Sequence, residues 1–218
     1  MSAQATVFGV ILNDHRSMQR LQAQFTAAPY LTPPRAPVLH IKPSNTLARE
    51  GAVVVLPSGA EQLEIGASLG LVIGRLSSHL SLENALAAVS AYVIMADLSL
   101  PHAQYYRPAI RERCFDGACP ISPKIALSPE LPQPEQLSIR SYVNDKLVET
   151  RNLADLVRSA SELLRDVTEF MRLDSNDILH LGVLFQGAQA RVGDAVRIVI
   201  DHLGELNFTL VASSEEKT

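Results

Sequence analysis

The sequence predicts an α+β fold rich in strands, a mixed β-sandwich or roll with few helices. Three observations predict it. Short apolar, β-branched runs cluster along the chain instead of alternating regularly with helices. A single stretch, Leu153 to Met171, carries a long helical stripe. The 218 residues are 47% hydrophobic, enough for one sizeable core. On this reading residues 1–212 form one domain and 213–218 (SSEEKT) a disordered tail.

The elements follow in order. Thr6 to Leu12 reads as a strand ending in an Asn13-Asp14 turn, and Ser17 to Ala27 as a short helix. The prolines of APYLTPPRAP fix φ and remove donors, so this stretch is an irregular connection or lid. Val38 to Lys42 is strand-like. Strands are expected at Ala52 to Leu56 and from about Gln62 to Gly74, with Pro57-Ser58-Gly59 turning between them. Ser81 caps an expected helix from Leu82 to Ser90, and Ala91 to Asp97 is another strand. Leu137 to Val143 and Lys146 to Thr150 flank Asn144-Asp145 as a hairpin. Asn152 caps the long helix, and strands close the chain at Asp177 to Gly182, Ala195 to Ile200 and Leu206 to Ala212.

Charge narrows the function classes. Nineteen Lys and Arg against 23 Asp and Glu give a net charge of −4, so no basic footprint points to nucleic acid or an anionic membrane. No apolar run reaches the roughly 20 residues a bilayer needs. Cys114 and Cys119 form neither a disulfide framework nor a zinc site, and they read as buried or half-buried thiols. With no leader-like start at the N-terminus, the expected location is the cytoplasm.

Motifs for chemistry are sparse. Gly66-Ala67-Ser68-Leu69-Gly70 has the spacing of a nucleophile elbow, but strand-like sequence follows it where a helix is needed, so Ser68 reads as a strand serine. No two of the six histidines are spaced to form a local metal pair; His15, beside Asp14 at a strand end, is the strongest catalytic candidate among them. The loop from Pro101 to Gly117 combines Tyr105, Tyr106, Arg107, Arg111 and Arg113. Arginine's planar fork suits carboxylates, so this loop fits a small dicarboxylate or oxo acid, and a solvated loop is the plain alternative.

A wider series carries a resemblance. Leu12-Asn13 with His15, Ile41-Lys42-Pro43-Ser44-Asn45-Thr46, Leu71-Val72-Ile73-Gly74, Asp97, Tyr105-Tyr106-Arg107-Pro108, Phe115-Asp116-Gly117, Val143-Asn144 and Val192-Gly193-Asp194 stand in an order that resembles the fumarylacetoacetate hydrolase family over nearly the whole chain. Tyr30, Pro33-Pro34 and Cys119-Pro120 make it similar to the N-terminal-type half or subunit of the branch serving 4-hydroxyphenylacetate breakdown. The resemblance implies a mixed β-roll. It implies a subunit of a 2-hydroxyhepta-2,4-diene-1,7-dioate isomerase and 5-carboxymethyl-2-oxo-hex-3-ene-1,6-dioate decarboxylase, acting on a dicarboxylic 2-oxo acid. Partners are implied too: a second copy in a homodimer, or a paralogous subunit in a hetero-oligomer. It further implies Mg2+ held by Glu-x-Glu and a later aspartate, with His15 and Lys42 catalytic and Tyr105, Arg107 and Arg113 binding substrate.

The chain departs from that pattern at the metal. Gly66 and Ser68 stand where the family has its two glutamates, leaving Asp97 alone of the three ligands. Glu64 shares their strand parity but lies about 6.6 Å too early, at roughly 3.3 Å per residue. Gly182-Val183-Leu184 replaces the family's Gly-Thr-Pro, and Arg113 its lysine. Two readings follow: an enzyme subunit whose metal site lies in a sister subunit or is rebuilt around Asp97, or a catalytically silent structural partner. Mg2+ is not expected on this chain alone. Gly66→Glu with Ser68→Glu is expected to restore the metal, and a failure to do so would mean that this strand is misaligned with the family.

Overall fold

The computed structural model describes residues 5–28, 31–102 and 109–214. In chain order these form β1 (Val7–Ile11), α1 (His15–Phe25), β2 (Val38–Lys42), β3 (Leu47–Arg49), β4 (Ala52–Val55), β5 (Gln62–Glu64), β6 (Ala67–Ile73) and β7 (Val89–Ala96). Then come α2 (Ile110–Arg113), β8 (Cys119–Ile121), β9 (Ile125–Ala126), β10 (Ser138–Val143), β11 (Lys146–Asn152) and α3 (Ala160–Phe170). The chain ends with β12 (Ile178–His180), β13 (Gln189–Arg191), β14 (Ala195–Ile200) and β15 (Gly204–Val211). The architecture is the strand-rich α+β fold expected.

A mixed sheet runs β2-β1-β12-β6-β7-β8-β3, with β9 added on β7; a second runs β11-β10-β14-β15-β4; and β13 pairs with β5. The main core lies between the two larger sheets. Leu69, Leu71 and Ile73 of β6 and Ile94 and Ala96 of β7 meet Ile198, Leu206 and Phe208 of the second sheet and Leu163, Leu164 and Val167 of α3. The opposite face of the first sheet buries Val7, Val72, Val93, Met95 and Ile178 in a smaller cluster. Both faces of β6 are covered, and every residue in it is buried, which is why its sequence does not alternate. That second face carries the site.

Local chemistry explains the elements. Asp14 caps α1, its Oδ1 accepting from the backbone N–H of Arg16 and Ser17. The β10–β11 hairpin turns at Asn144 (φ 49°) and Asp145 (φ 62°), the left-handed pair a tight two-residue turn requires.

Three expected elements are corrected. The long helix does not start at Asn152: Leu153–Asp155 is one 3₁₀ turn, and α3 begins after Ser159, whose side chain and Glu162 cap each other reciprocally. The segment between bends instead of continuing the helix, held there because the Asn13 side chain binds both the N–H and the C=O of Arg158. The helix expected over 82–90 is only a 3₁₀ turn at Ala85–Ala88, since Val89 enters β7 opposite Ile73. The strand expected from Gln62 to Gly74 breaks at Ile65-Gly66, where Gly66 has φ +58°. Residues 215–218 of the expected tail lie outside the described residues. Among the described residues, no helix is long and apolar enough to cross a membrane.

Candidate functional site

Strand parity gathers the polar groups. His40 and Lys42 sit two apart on β2, and β2 pairs with β1 so that His40 faces Gly9 and Lys42 faces Val7. β12 runs on the other side of β1, which places His180 beside Gly9. Ser68 on β6 and Asp97, one residue past the end of β7, point to the same side. A Cβ on Gly9 would lie 2.2 Å from His40 Nε2 and 2.5 Å from His180 Nε2, so the two imidazoles meet over a residue that must lack a side chain. Their rings approach edge to face with centroids 5.6 Å apart.

Asp97 is the centre. It is 1% exposed. Lys42 Nζ lies 2.9 Å from Oδ1, Arg113 Nη1 donates to Oδ2 at 2.7 Å, and His40 Nε2 is 3.0 Å from Oδ2. Burial alone would raise the carboxyl's pKa, but Lys42, Arg113 and His40 together hold it well below the usual range. Lys42 also donates to the carbonyls of Leu98 and Arg113, while its contact with Oδ1 is an ion pair without hydrogen-bond geometry. Arg113 and His40 are the exposed edge of the cluster, with side chains 12% and 20% accessible.

Behind Asp97 lies a fully buried line. Ser68 Oγ is 3.4 Å from His180 Nδ1, and His180 Nε2 is 3.6 Å from Asp97 Oδ2. The order nucleophile–imidazole–carboxylate is present, but the chemistry is not. Ser68 Oγ donates to the Gly182 carbonyl at 2.7 Å, and Nδ1 already accepts the Gly182 N–H at 3.1 Å. Burial pushes His180 down to about 4, against the attraction of Asp97, so the ring is neutral with its proton on Nε2. Gly182 O also accepts from Arg151 Nη1, and Arg151 Nε pairs with Asp14. These contacts tie the start of α1 to the Asp97 centre.

His40, Asp97 and His180 each bring a ligand-type atom within 4.8 Å of the others. They do not fit the family's hard divalent ion. Such an ion needs several oxygen ligands. Here the carboxylate is the one charged oxygen donor of the cluster, and both its oxygens face cations. His180 Nε2 carries the proton where a ligand would need a lone pair. A glutamate at 66 is equally excluded: a Cβ there would stand 2.3 Å from the Asp97 carbonyl oxygen, on a backbone at φ +58°.

Glu64 is on β5 beyond this kink, 8% exposed, paired with Gln189 of β13. It lines a cavity of about 460 Å³ with Pro101, His102, Gln186 and Gln189.

Of the residues singled out by sequence, Lys42, Asp97 and Arg113 converge. Ser68 is a buried strand serine. His15 is the exposed first residue of α1, with no described contact to Asp97. Tyr105 and Arg107 lie outside the described residues. His40 and His180 were missed because their proximity is across strands. The usable signal was the His40-x-Lys42 alternation, which puts both on one face of a strand. Cys119 is buried and Cys114 half-buried, both as free thiols.

The fumarylacetoacetate (FAA) hydrolase C-terminal family pattern matches residues 6–211. The chain belongs to that family. It is 36% identical over 210 residues to the 4-hydroxyphenylacetate degradation bifunctional isomerase/decarboxylase of Salmonella dublin, covering 96% of this chain and 48% of that protein. The Escherichia coli protein of the same name is 33% identical over 213 residues, 98% of this chain and 48% of its own length. The chain thus spans about half the length of these relatives. Among solved structures, 5-carboxymethyl-2-hydroxymuconate delta-isomerase from Mycobacterium smegmatis superposes with a TM-score of 0.80 at 22% identity, covering 97% of this chain and 80% of that one. Fumarylpyruvate hydrolase from Pseudomonas aeruginosa, in complex with Mn2+ and pyruvate, gives 0.82 at 20% identity, covering 97% and 93%. Both structures share the fold.

Proposed function

We propose that this chain is one half of a two-part isomerase/decarboxylase for unsaturated C7 dicarboxylates of aromatic catabolism, and that it handles the tautomerisation without a bound metal. The observation that carries the reading is the Asp97 centre. Two fixed cations, Lys42 and Arg113, stand within 3 Å of the carboxylate that serves the family as a metal ligand. Decarboxylation builds carbanion charge that an oxygen-ligated divalent ion stabilises. That step is assigned to a sister half with the glutamate pair, supplied by a paralogous subunit. Tautomerisation of a 2-hydroxy-2,4-dienoate needs proton transfer and a grip on two carboxylates, which Arg113 offers at the exposed edge, with Tyr105 and Arg107 as further binding residues.

Calorimetry tests the metal claim: the purified chain takes up no Mg2+ and its turnover is insensitive to EDTA. Decarboxylation of 5-carboxymethyl-2-oxo-hex-3-ene-1,6-dioate then appears only with the sister half co-expressed. Mg2+-dependent decarboxylation by the lone chain overturns the reading. A second reading, a silent structural partner, is favoured by the burial of Lys42 against Asp97 and two backbone carbonyls. It wins if the lone chain fails to accelerate the tautomerisation as well.

A further inference from the structure

We propose that Glu64 and His102 are the acid and base of this tautomerisation, acting across the cavity they both line. The inference rests on the isomerase reading above and deepens it.

The geometry supplies three supports. First, the cavity, open and about 460 Å³, is of small-molecule size and its lining is mixed: Pro101 beside a carboxyl, an imidazole and the carboxamides of Gln186 and Gln189. Second, His102 is held in a defined tautomer. Its Nδ1 lies 3.0 Å from the Leu100 carbonyl, an oxygen that can only accept, so in the neutral ring Nδ1 carries the proton and Nε2 the lone pair. Ser99 Oγ sits 3.2 Å from the same Nδ1 and steadies the ring. Third, Glu64 is a buried carboxyl within electrostatic reach of Arg113. Its own strand segment is anchored by Glu64 N–H to the Ser99 carbonyl at 2.7 Å, which brings the acid and the Ser99–His102 loop together. Gln186, on the facing wall, has φ 52°, a left-handed conformation that a glutamine adopts only under constraint.

The groups facing Glu64 are Arg113, Glu149 and the Gln186 backbone N–H. Burial raises its pKa, and Arg113 opposes the rise. A carboxyl so placed holds its proton to higher pH than an exposed one.

The step balances within the substrate and the pair. In a HO–C2=C3–C4=C5 dienol, His102 Nε2 takes the hydroxyl proton and the O–H electrons become the C2=O π bond. The C2=C3 pair moves to C3=C4, and the C4=C5 pair takes the proton from the Glu64 carboxyl to form a C5–H bond. The product is the 2-oxo-3-ene. Glu64 is left as carboxylate and His102 as imidazolium, and solvent in the open cavity returns the proton.

The experiment uses the whole chain in EDTA, with a 2-hydroxy-2,4-diene-1,7-dioate as probe. Loss of dienol absorbance gives the rate, and NMR in D2O gives the site and stereochemistry of labelling. The wild type is expected to place one deuterium at C5 on a single face. Glu64→Gln should lower kcat by roughly 10²–10⁴-fold with KM little changed, and labelling should become non-selective. His102→Ala should lose activity that added imidazole restores, a rescue that loss of folding cannot mimic. Glu64→Gln or His102→Ala with wild-type kcat and single-face labelling overturns the assignment while leaving the isomerase reading intact. A wild-type chain with no acceleration over buffer overturns both.

Discussion

Gly66→Ala tests whether the family's metal site was lost by side-chain replacement or by a change of backbone. The added Cβ would stand 2.3 Å from the Asp97 carbonyl oxygen and 3.0 Å from its carbonyl carbon, so backbone must move. The left-handed φ of +58° costs a non-glycine residue about 1–2 kcal/mol. Relieving the overlap adds about 1–3 kcal/mol, as overpacking of a tight interior does. The sum, roughly 2–5 kcal/mol, corresponds to a fall in Tm of roughly 5–15 °C for a chain of this size. Since the Asp97 N–H donates to the Gly66 carbonyl at 2.9 Å, the strain passes directly into the cation cluster. Urea unfolding and a thermal melt read the loss. Gly66→Glu with Ser68→Glu should be at least as unstable as Gly66→Ala and should take up no Mg2+ by calorimetry. Wild-type stability in Gly66→Ala, or stoichiometric Mg2+ in a stable double variant, refutes the reasoning.

Two further outcomes are expected. His180 sits at about 4 when folded and near 6.5 when unfolded, so between those values the unfolded state binds a proton that the folded state refuses. Stability is therefore lost as pH falls from 6.5 to 4, by about 3 kcal/mol, and His180→Gln flattens that part of a urea-midpoint-versus-pH curve; an unchanged curve contradicts it. Asp14→Ala removes the α1 cap and leaves the buried Arg151 guanidinium without its carboxylate, costing about 3–5 kcal/mol in chemical denaturation. A loss no larger than that of a cap alone, about 1 kcal/mol, shows that Arg151 finds another partner.

Legibility in the sequence followed the range of the interaction. The span of β2, Val38 to Lys42, and the Asn144-Asp145 hairpin were readable because pattern and turn chemistry decide them locally. The helix over 153–171 was not. Its stripe is real, but Asn13, 145 residues from Arg158, holds the segment before Ser159 in a bend. The break at Gly66 was invisible for a similar reason: nothing local distinguishes a strand glycine from one turned left-handed beneath a neighbouring strand. At the site, Lys42, Asp97 and Arg113 were found through their place in a family order, whereas His40 and His180 come together only once β1 is laid between their strands. The Glu64 carboxyl was seen in the sequence and measured along an unbroken strand. The kink is what sets it apart, against the cavity with His102.

Gly9 carries a consequence for the floor of the centre. Any side chain there would drive both imidazoles off their positions beside Asp97. One missing side chain on β1 is thus what lets rings from the strands on either side, β2 and β12, share a single site.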